Sequence, residues 1–137
     1  DVGLVAITPA AGFVSIPHAL AIGIIASVIS NLVVSKFPKG KIDDALDVFA
    51  CHGVGGMVGM LLTGVFASNI VNPAVGDNQG LFFGDATLFL TQLKALILVS
   101  IFAFVGSYIL FFVVNKITPL RVSEEKEELG LDLNSND

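Results

Sequence analysis

The amino-acid sequence predicts an all-α membrane protein, a polytopic bundle of transmembrane helices, on three observations. Of its 137 residues, 54% are hydrophobic and only 14% are charged, whereas about a quarter of the residues in a soluble domain are charged. Three apolar segments are long enough to cross roughly 30 Å of hydrocarbon, which takes about 20 helical residues. These segments do not alternate polar and apolar residues, and an open sheet would leave unpaired backbone groups in lipid.

The predicted spans cover approximately residues 18–35, 47–68 and 86–115. The first has no charged residue, the second contains His52 in its apolar part, and the third contains Lys94 near its beginning. An apolar segment at residues 2–11 is too short to span and ends at Thr8-Pro9, as the end of a longer helix would. The sequence therefore predicts a piece of a longer chain, with a membrane domain at residues 1–119 and a polar tail at 120–137.

Basic residues alternate between consecutive loops. Lys36, Lys39 and Lys41 follow the first span, the loop at 69–85 has no Lys or Arg, and Lys116 and Arg121 follow the third span. The positive-inside rule then places the first loop and the C-terminus in the cytoplasm and the 69–85 loop outside. A multi-pass protein of the cell (inner) membrane is expected. Lys94 does not fit this pattern, unless its long side chain reaches the outer interface or pairs within the protein.

The net charge of −5 mostly reflects the acidic tail after Arg121. Cys51 is the single cysteine, so a disulfide within the chain is excluded and no cysteine cluster is available for a metal. The sequence predicts no enzyme, no cofactor, no metal site and no nucleic-acid partner.

The second span carries the residues best suited to a function. His52 lies well past the start of this span, where ionisable residues are rare and usually face a cavity or the bundle interior. In a regular helix His52, Gly56, Gly59 and Thr63 would share one face, and that face suits either a tightly packed interface or the wall of a narrow passage. The alternative for His52 is a neutral imidazole that bonds a nearby carbonyl and only packs.

Three aspartates, Asp43, Asp44 and Asp47, come at the predicted cytoplasmic start of the same span. Acidic side chains at a helix N-terminus cap free N–H groups and complement the helix dipole, and this interpretation is favoured on physical grounds. They could also attract a cation to an inner vestibule, for which Asp47, nearest the membrane, and Asp44 are the candidates.

The segment from Asp43 to Gly56, DDALDVFACHGVGG, resembles the next-to-last helix of the ammonium transporter family, which supplies the second of two paired pore histidines. The segment GLVAITPAAG, from Gly3 to Gly12, is similar to the end of the helix two places earlier. The segment LRVSEEKEELGLD, from Leu120 to Asp132, is similar to the family's cytoplasmic tail. The resemblance covers essentially the whole chain and favours the bacterial Amt type.

This resemblance implies the last three helices, and the end of a preceding one, of an eleven-helix transporter that assembles as a homotrimer. It implies transport of ammonium or ammonia through a hydrophobic pore, with His52 as a pore histidine and Gly56 and Gly59 in its wall. The alternatives are a Rhesus-type channel relative, an ammonium sensor, or a fragment without activity of its own.

The tail is predicted to be regulatory. The resemblance implies that it docks on cytoplasmic loops and neighbouring subunits, and that a PII-type signalling protein is a possible partner. Arg121 would anchor the tail near the membrane, and Gly130 would allow a turn before Asp132. The alternative is a solvated tail without a partner.

Overall fold

A computed structural model describes residues 2–36 and 47–121, which form helices and turns without a β-strand. The chain divides into two units, Asp1–Leu98 and Val99–Asp137, with the boundary inside the last helix. The main helices are α1 (Val2–Ile7), α2 (Ile16–Lys36), α3 (Gly55–Phe66), which continues a π-helical segment at Phe49–Val54, and α4 (Thr87–Ile117). Short 3₁₀ helices lie at Thr8–Ala10, Pro73–Val75 and Leu81–Phe83.

Within residues 2–36 and 47–121, three helices are long and apolar enough to cross a membrane: Ile16–Lys36, Phe49–Phe66 and Thr87–Ile117. They match the three predicted spans to within two residues at each end, so the prediction of an all-α transmembrane bundle is confirmed. The preceding helix α1 ends at Ile7, and a 3₁₀ turn containing Pro9 follows it. The predicted change from membrane domain to tail at residue 120 stays a prediction, because residues 122–137 lie outside the described part of the chain.

The core of the first unit consists mostly of small side chains. Ala6 and Ala10 pack with Ile22 and Ala26 of α2, and all four are fully buried. Small side chains allow helix backbones to approach closely, which is the main source of helix association where lipid supplies no hydrophobic drive. Helices α1 and α3 approach closely, since a β-carbon on Gly59 would lie 2.7 Å from Ala6 Cα.

The 67–86 connection is held against the ends of the helices by backbone hydrogen bonds. Ser68 N–H donates to Phe13 O at 2.9 Å, and Gly80 N–H donates to Ala67 O at 2.8 Å. Gly80 is buried, because its α-carbon sits directly on the Val65–Phe66 peptide. The polar 69–85 loop is thus an ordered part of the first unit.

Helix α4 begins with a side-chain cap. Thr87 N–H donates to Asp85 Oδ1 at 2.8 Å, and this bond, together with one from the Thr87 hydroxyl, holds the pKa of the Asp85 carboxyl below its usual value. In the second unit α4 exposes large apolar side chains on all sides, among them Phe102, Phe104 and Tyr108. Such a helix is suited to lipid or to helix partners, not to water.

Candidate functional site

His52 lies in the π-helical segment Phe49–Val54 that leads into α3. Its side chain is exposed, and residues 2–36 and 47–121 provide no hydrogen-bond partner for its ring. The alternative of an imidazole bonded to a nearby carbonyl therefore has no support within the described residues. The ring is available to a ligand or to another protein segment.

The segment that contains His52 departs from α-helical geometry. A π-helix closes hydrogen bonds between residues five apart, so a π turn rotates the side chains before it relative to those after it. Gly55 N–H accordingly donates to Ala50 O. The Phe49 ring lies over Gly53, where an added β-carbon would be 3.1 Å from Phe49 Cδ2. Because Gly53 has no side chain, the Phe49 ring can pack against its backbone in this turn.

His52, Gly59 and Thr63, which a regular α-helix would place on one face, differ in burial, and their shared face stays a prediction. Gly59 and Thr63 are buried whereas His52 is exposed. The Thr63 hydroxyl donates to Gly59 O at 2.8 Å, one turn back along α3. Gly59 itself packs on the Ala6 backbone. The face of Gly59 was predicted to form either a tightly packed interface or the wall of a narrow passage. Within this chain Gly59 lies in a tightly packed interface.

Gly56 has a looser environment than Gly59. A β-carbon on Gly56 would meet only Val5 Cγ1, at 4.0 Å, which is an ordinary van der Waals distance. Gly56 is partly exposed and lies one turn after His52. The two glycines predicted for the same wall thus differ in what surrounds them.

Asp47 is exposed and lies at the start of the helix that contains His52. Its φ of 52° is in the left-handed region, which aspartate visits more readily than most residues. Its carbonyl accepts the first helical hydrogen bond, from Cys51 N–H at 2.9 Å. Asp47 thus marks the N-terminus of the helix, five residues before His52. The vestibule role of Asp47 stays a prediction.

The remaining predicted residues are one vestibule candidate and three residues of the tail. Asp44, Gly130 and Asp132 lie outside the described residues, and so does Asp43. Arg121 follows the end of α4 and is exposed. The regulatory roles of Arg121, Gly130 and Asp132 stay predictions.

A groove of about 360 Å³ lies beside the π-helical segment. Ser30 is only 1% exposed, and its hydroxyl has no hydrogen-bond partner among residues 2–36 and 47–121. A buried hydroxyl without a partner is destabilising. The lining residues are Val2, Ser27, Ser30, Asn31, Val34 and Cys51. Cys51 is therefore a groove residue on the half-buried side of the segment that exposes His52.

An aromatic cluster around His18 was not predicted from the sequence. The imidazole stacks on Phe66 with centroids 4.8 Å apart and planes at 11°. Phe82 and Phe83 meet its ring edge-on at 5.3 Å and 6.1 Å, and the Ser15 hydroxyl shares a 3.0 Å hydrogen bond with Nδ1. This cluster joins α2, the end of α3 and the 69–85 loop. In the sequence, the adjacent phenylalanines of that loop were the one indication of an aromatic cluster.

Comparison with known proteins shows which family and which relatives this chain is similar to. Residues 2–137 match the model of the Ammonium Transporter Family. An ammonium transporter of Bacillus subtilis (strain 168) is 46% identical over 132 residues, which cover 96% of this chain and 32% of the relative. One of Aquifex aeolicus is 47% identical over 131 residues, covering 95% and 30%.

A solved structure agrees with the sequence relatives. The crystal structure of Saccharomyces cerevisiae Mep2 superposes with a TM-score of 0.80 at 36% identity. The superposition covers 90% of this chain and 29% of the Mep2 chain. The chain thus spans about a third of the length of the relatives it matches.

Proposed function

Because this chain belongs to the ammonium transporter family, we propose that it forms the C-terminal part of a transporter that conducts ammonium or ammonia through a hydrophobic pore. The proposal includes an inner-membrane location with the C-terminus in the cytoplasm and a homotrimeric whole protein. The relatives described above are named as transporters, which favours transport over the ammonium-sensor alternative and over an enzyme.

The observation that carries the proposal is the exposed ring of His52 in an otherwise apolar helix of membrane-spanning length. An ionisable side chain in such a helix usually faces a cavity or the bundle interior, because exposing it to hydrocarbon is costly. A π-helical turn interrupts helices frequently at functional sites. His52 combines both features, and we assign it to the pore.

The chemistry of the substrate fits an imidazole in an apolar passage. A bare ammonium ion moved from water into low dielectric would lose several kcal/mol of hydration at least. Neutral ammonia loses far less, and an imidazole nitrogen can hydrogen-bond it or accept the proton that ammonium releases. Potassium has no proton to release and would be rejected by the same passage.

We expect His52→Ala in the complete transporter to reduce ammonium uptake strongly or to admit potassium, because the passage would lose the imidazole that we propose lines it. Uptake and potassium competition would be measured in cells lacking other ammonium transporters. Cys51→Ser is the matched control, since it changes the adjacent residue of the same π-helical turn and should transport normally.

Size-exclusion chromatography of both variants would separate loss of function from loss of assembly. A His52→Ala protein that assembles, transports at the wild-type rate and keeps its selectivity would contradict the pore role. Expression of the 137 residues alone in the same cells tests the fragment alternative. We expect no uptake, because three spans with one proposed pore histidine cannot enclose a pore.

The proposed topology has its own test. With Lys39 inside and Asn78 outside, an impermeant thiol reagent applied to intact cells should label Asn78→Cys and spare Lys39→Cys, in a background without other reactive cysteines. Asn78 is exposed on the 69–85 loop, so its thiol would be accessible. Labelling of Lys39→Cys in intact cells would contradict the proposed topology and indicate the opposite orientation.

A further inference from the structure

The hydroxyl of Ser30 is bonded differently from other hydroxyls in the described helices. A serine or threonine inside a helix usually donates its hydroxyl to the carbonyl of the preceding turn. Such a bond to the carbonyl four residues earlier, at 2.8 or 2.9 Å, is made by Thr8, Ser35, Thr63 and Thr91. Ser30 lies inside α2 but makes no such bond, and its hydroxyl has no partner among the described residues.

Ser30 is buried where α2 meets α3. Its side chain is 1% exposed, and its Oγ lies 3.7 Å from the point that a β-carbon on Gly55 would occupy. Helix α2 is of membrane-spanning length and composition. A hydroxyl at such a place is closed to bulk water, and leaving it without a hydrogen bond costs free energy. Ser30 therefore requires a partner that reaches it from outside its own helix.

The groove beside the π-helical segment offers space and further polar groups next to Ser30. Its volume of about 360 Å³ is far more than a single water molecule needs. Ser27, Asn31 and Cys51 line the groove together with Ser30, and an asparagine side chain offers both donors and an acceptor. A buried water typically makes about three hydrogen bonds, so these side chains are sufficient in number and kind.

The chemistry of the lining residues favours a neutral ligand. Among the described residues that line the groove none is charged, so an ion would lose its hydration there without a counter-charge. An apolar ligand would leave the Ser30 hydroxyl unbonded. Water is small, neutral, and both a donor and an acceptor, and it can satisfy the hydroxyls and the amide at the same time.

We propose that an ordered water molecule binds in this groove, hydrogen-bonded to Ser30 Oγ and to the Asn31 side chain, and links α2 to the segment that carries His52. Cys51, directly before His52, lines the same groove, and its thiol is a weak hydrogen-bonding group. A bridging water is nearly as favourable in enthalpy as a direct hydrogen bond. The water would thus hold the π-helical segment against α2, whichever substrate is transported.

The first test locates the water. A structure of the complete protein, at a resolution that shows ordered water, should contain a density peak within hydrogen-bond distance of Ser30 Oγ and the Asn31 side chain. The peak should lose most of its occupancy in Ser30→Ala. It should remain in Ser35→Ala, the matched control, because the Ser35 hydroxyl bonds its own helix. Absence of the peak, or a Ser30 hydroxyl bonded to another protein segment, would overturn the proposal.

The second test measures whether the bound water stabilises the protein. Removing a buried hydroxyl that has no partner should leave stability unchanged or raise it, whereas removing one that binds water should lower it. We therefore expect a lower thermal midpoint for Ser30→Ala than for Ser35→Ala in the purified complete protein. Both variants place alanine, the best helix former, in α2, so the effect of helix propensity cancels. An equal or higher midpoint for Ser30→Ala would contradict the proposal.

Discussion

Replacement of Gly59 by alanine is expected to destabilise the membrane domain more than the addition of a methyl group at any other position of α3 would. The new β-carbon would overlap the Ala6 carbonyl and lie 2.7 Å from both Ala6 Cα and Ala6 C. Overpacking usually costs about 1–3 kcal/mol, and here the obstacle is backbone, which cannot rotate away as a side chain can. The whole of α1 would have to move from α3, and the buried Ala6–Ile22 contact would open with it.

Gly56→Ala is the matched control for this experiment. It adds the same methyl group one turn earlier, where the nearest atom, Val5 Cγ1, is 4.0 Å away. Thermal denaturation of the purified complete protein, followed by the monodisperse fraction that remains on size exclusion, would compare the two variants. We expect a large fall in midpoint for Gly59→Ala and little change for Gly56→Ala. Similar midpoints would contradict the close approach of α1 and α3.

Gly80→Ala is expected to release the 69–85 loop from the end of α3. A β-carbon at Gly80 would overlap the Val65 carbonyl oxygen and lie 2.8 Å from Phe66 N. The conformation of Gly80, φ −68° and ψ 161°, is open to any residue, so the effect would come from the contact alone. Displacing Gly80 would also break its hydrogen bond to Ala67 O and pull Phe82 away from His18.

Limited thermolysin digestion would detect this release, because the protease cuts beside apolar residues and Leu81, Phe82 and Phe83 follow immediately. We expect faster cleavage in this loop for Gly80→Ala, together with a lower thermal midpoint. Gly106→Ala is the control, since a β-carbon there has no described atom within 4 Å. A Gly80→Ala protein as resistant as Gly106→Ala would show that the loop is held elsewhere.

Much of the fold follows from the length and composition of apolar segments. A helix satisfies its own backbone hydrogen bonds in lipid, so an apolar run of sufficient length already specifies a spanning helix whatever its neighbours do. That is why α2, the Phe49–Phe66 helix and α4 lie where the sequence predicts them. The position of His52 inside an apolar run, and the motif around it that indicates the family, are likewise properties of local sequence.

The environment of the site residues was decided by tertiary structure. The π-helical turn at Phe49–Val54 departs from the regular helix on which the shared face of His52 and Gly59 was counted, and helical counting at 3.6 residues per turn contains no signal for it. Whether a glycine lines a passage or meets another backbone depends on the neighbouring helix, and α1 supplies the backbone that meets Gly59. The His18 cluster depends on loop closure that brings Phe82 and Phe83, more than sixty residues away in sequence, to one imidazole. Local apolar pattern determines which segments become helices, whereas contacts between segments distant in sequence determine what each side chain faces.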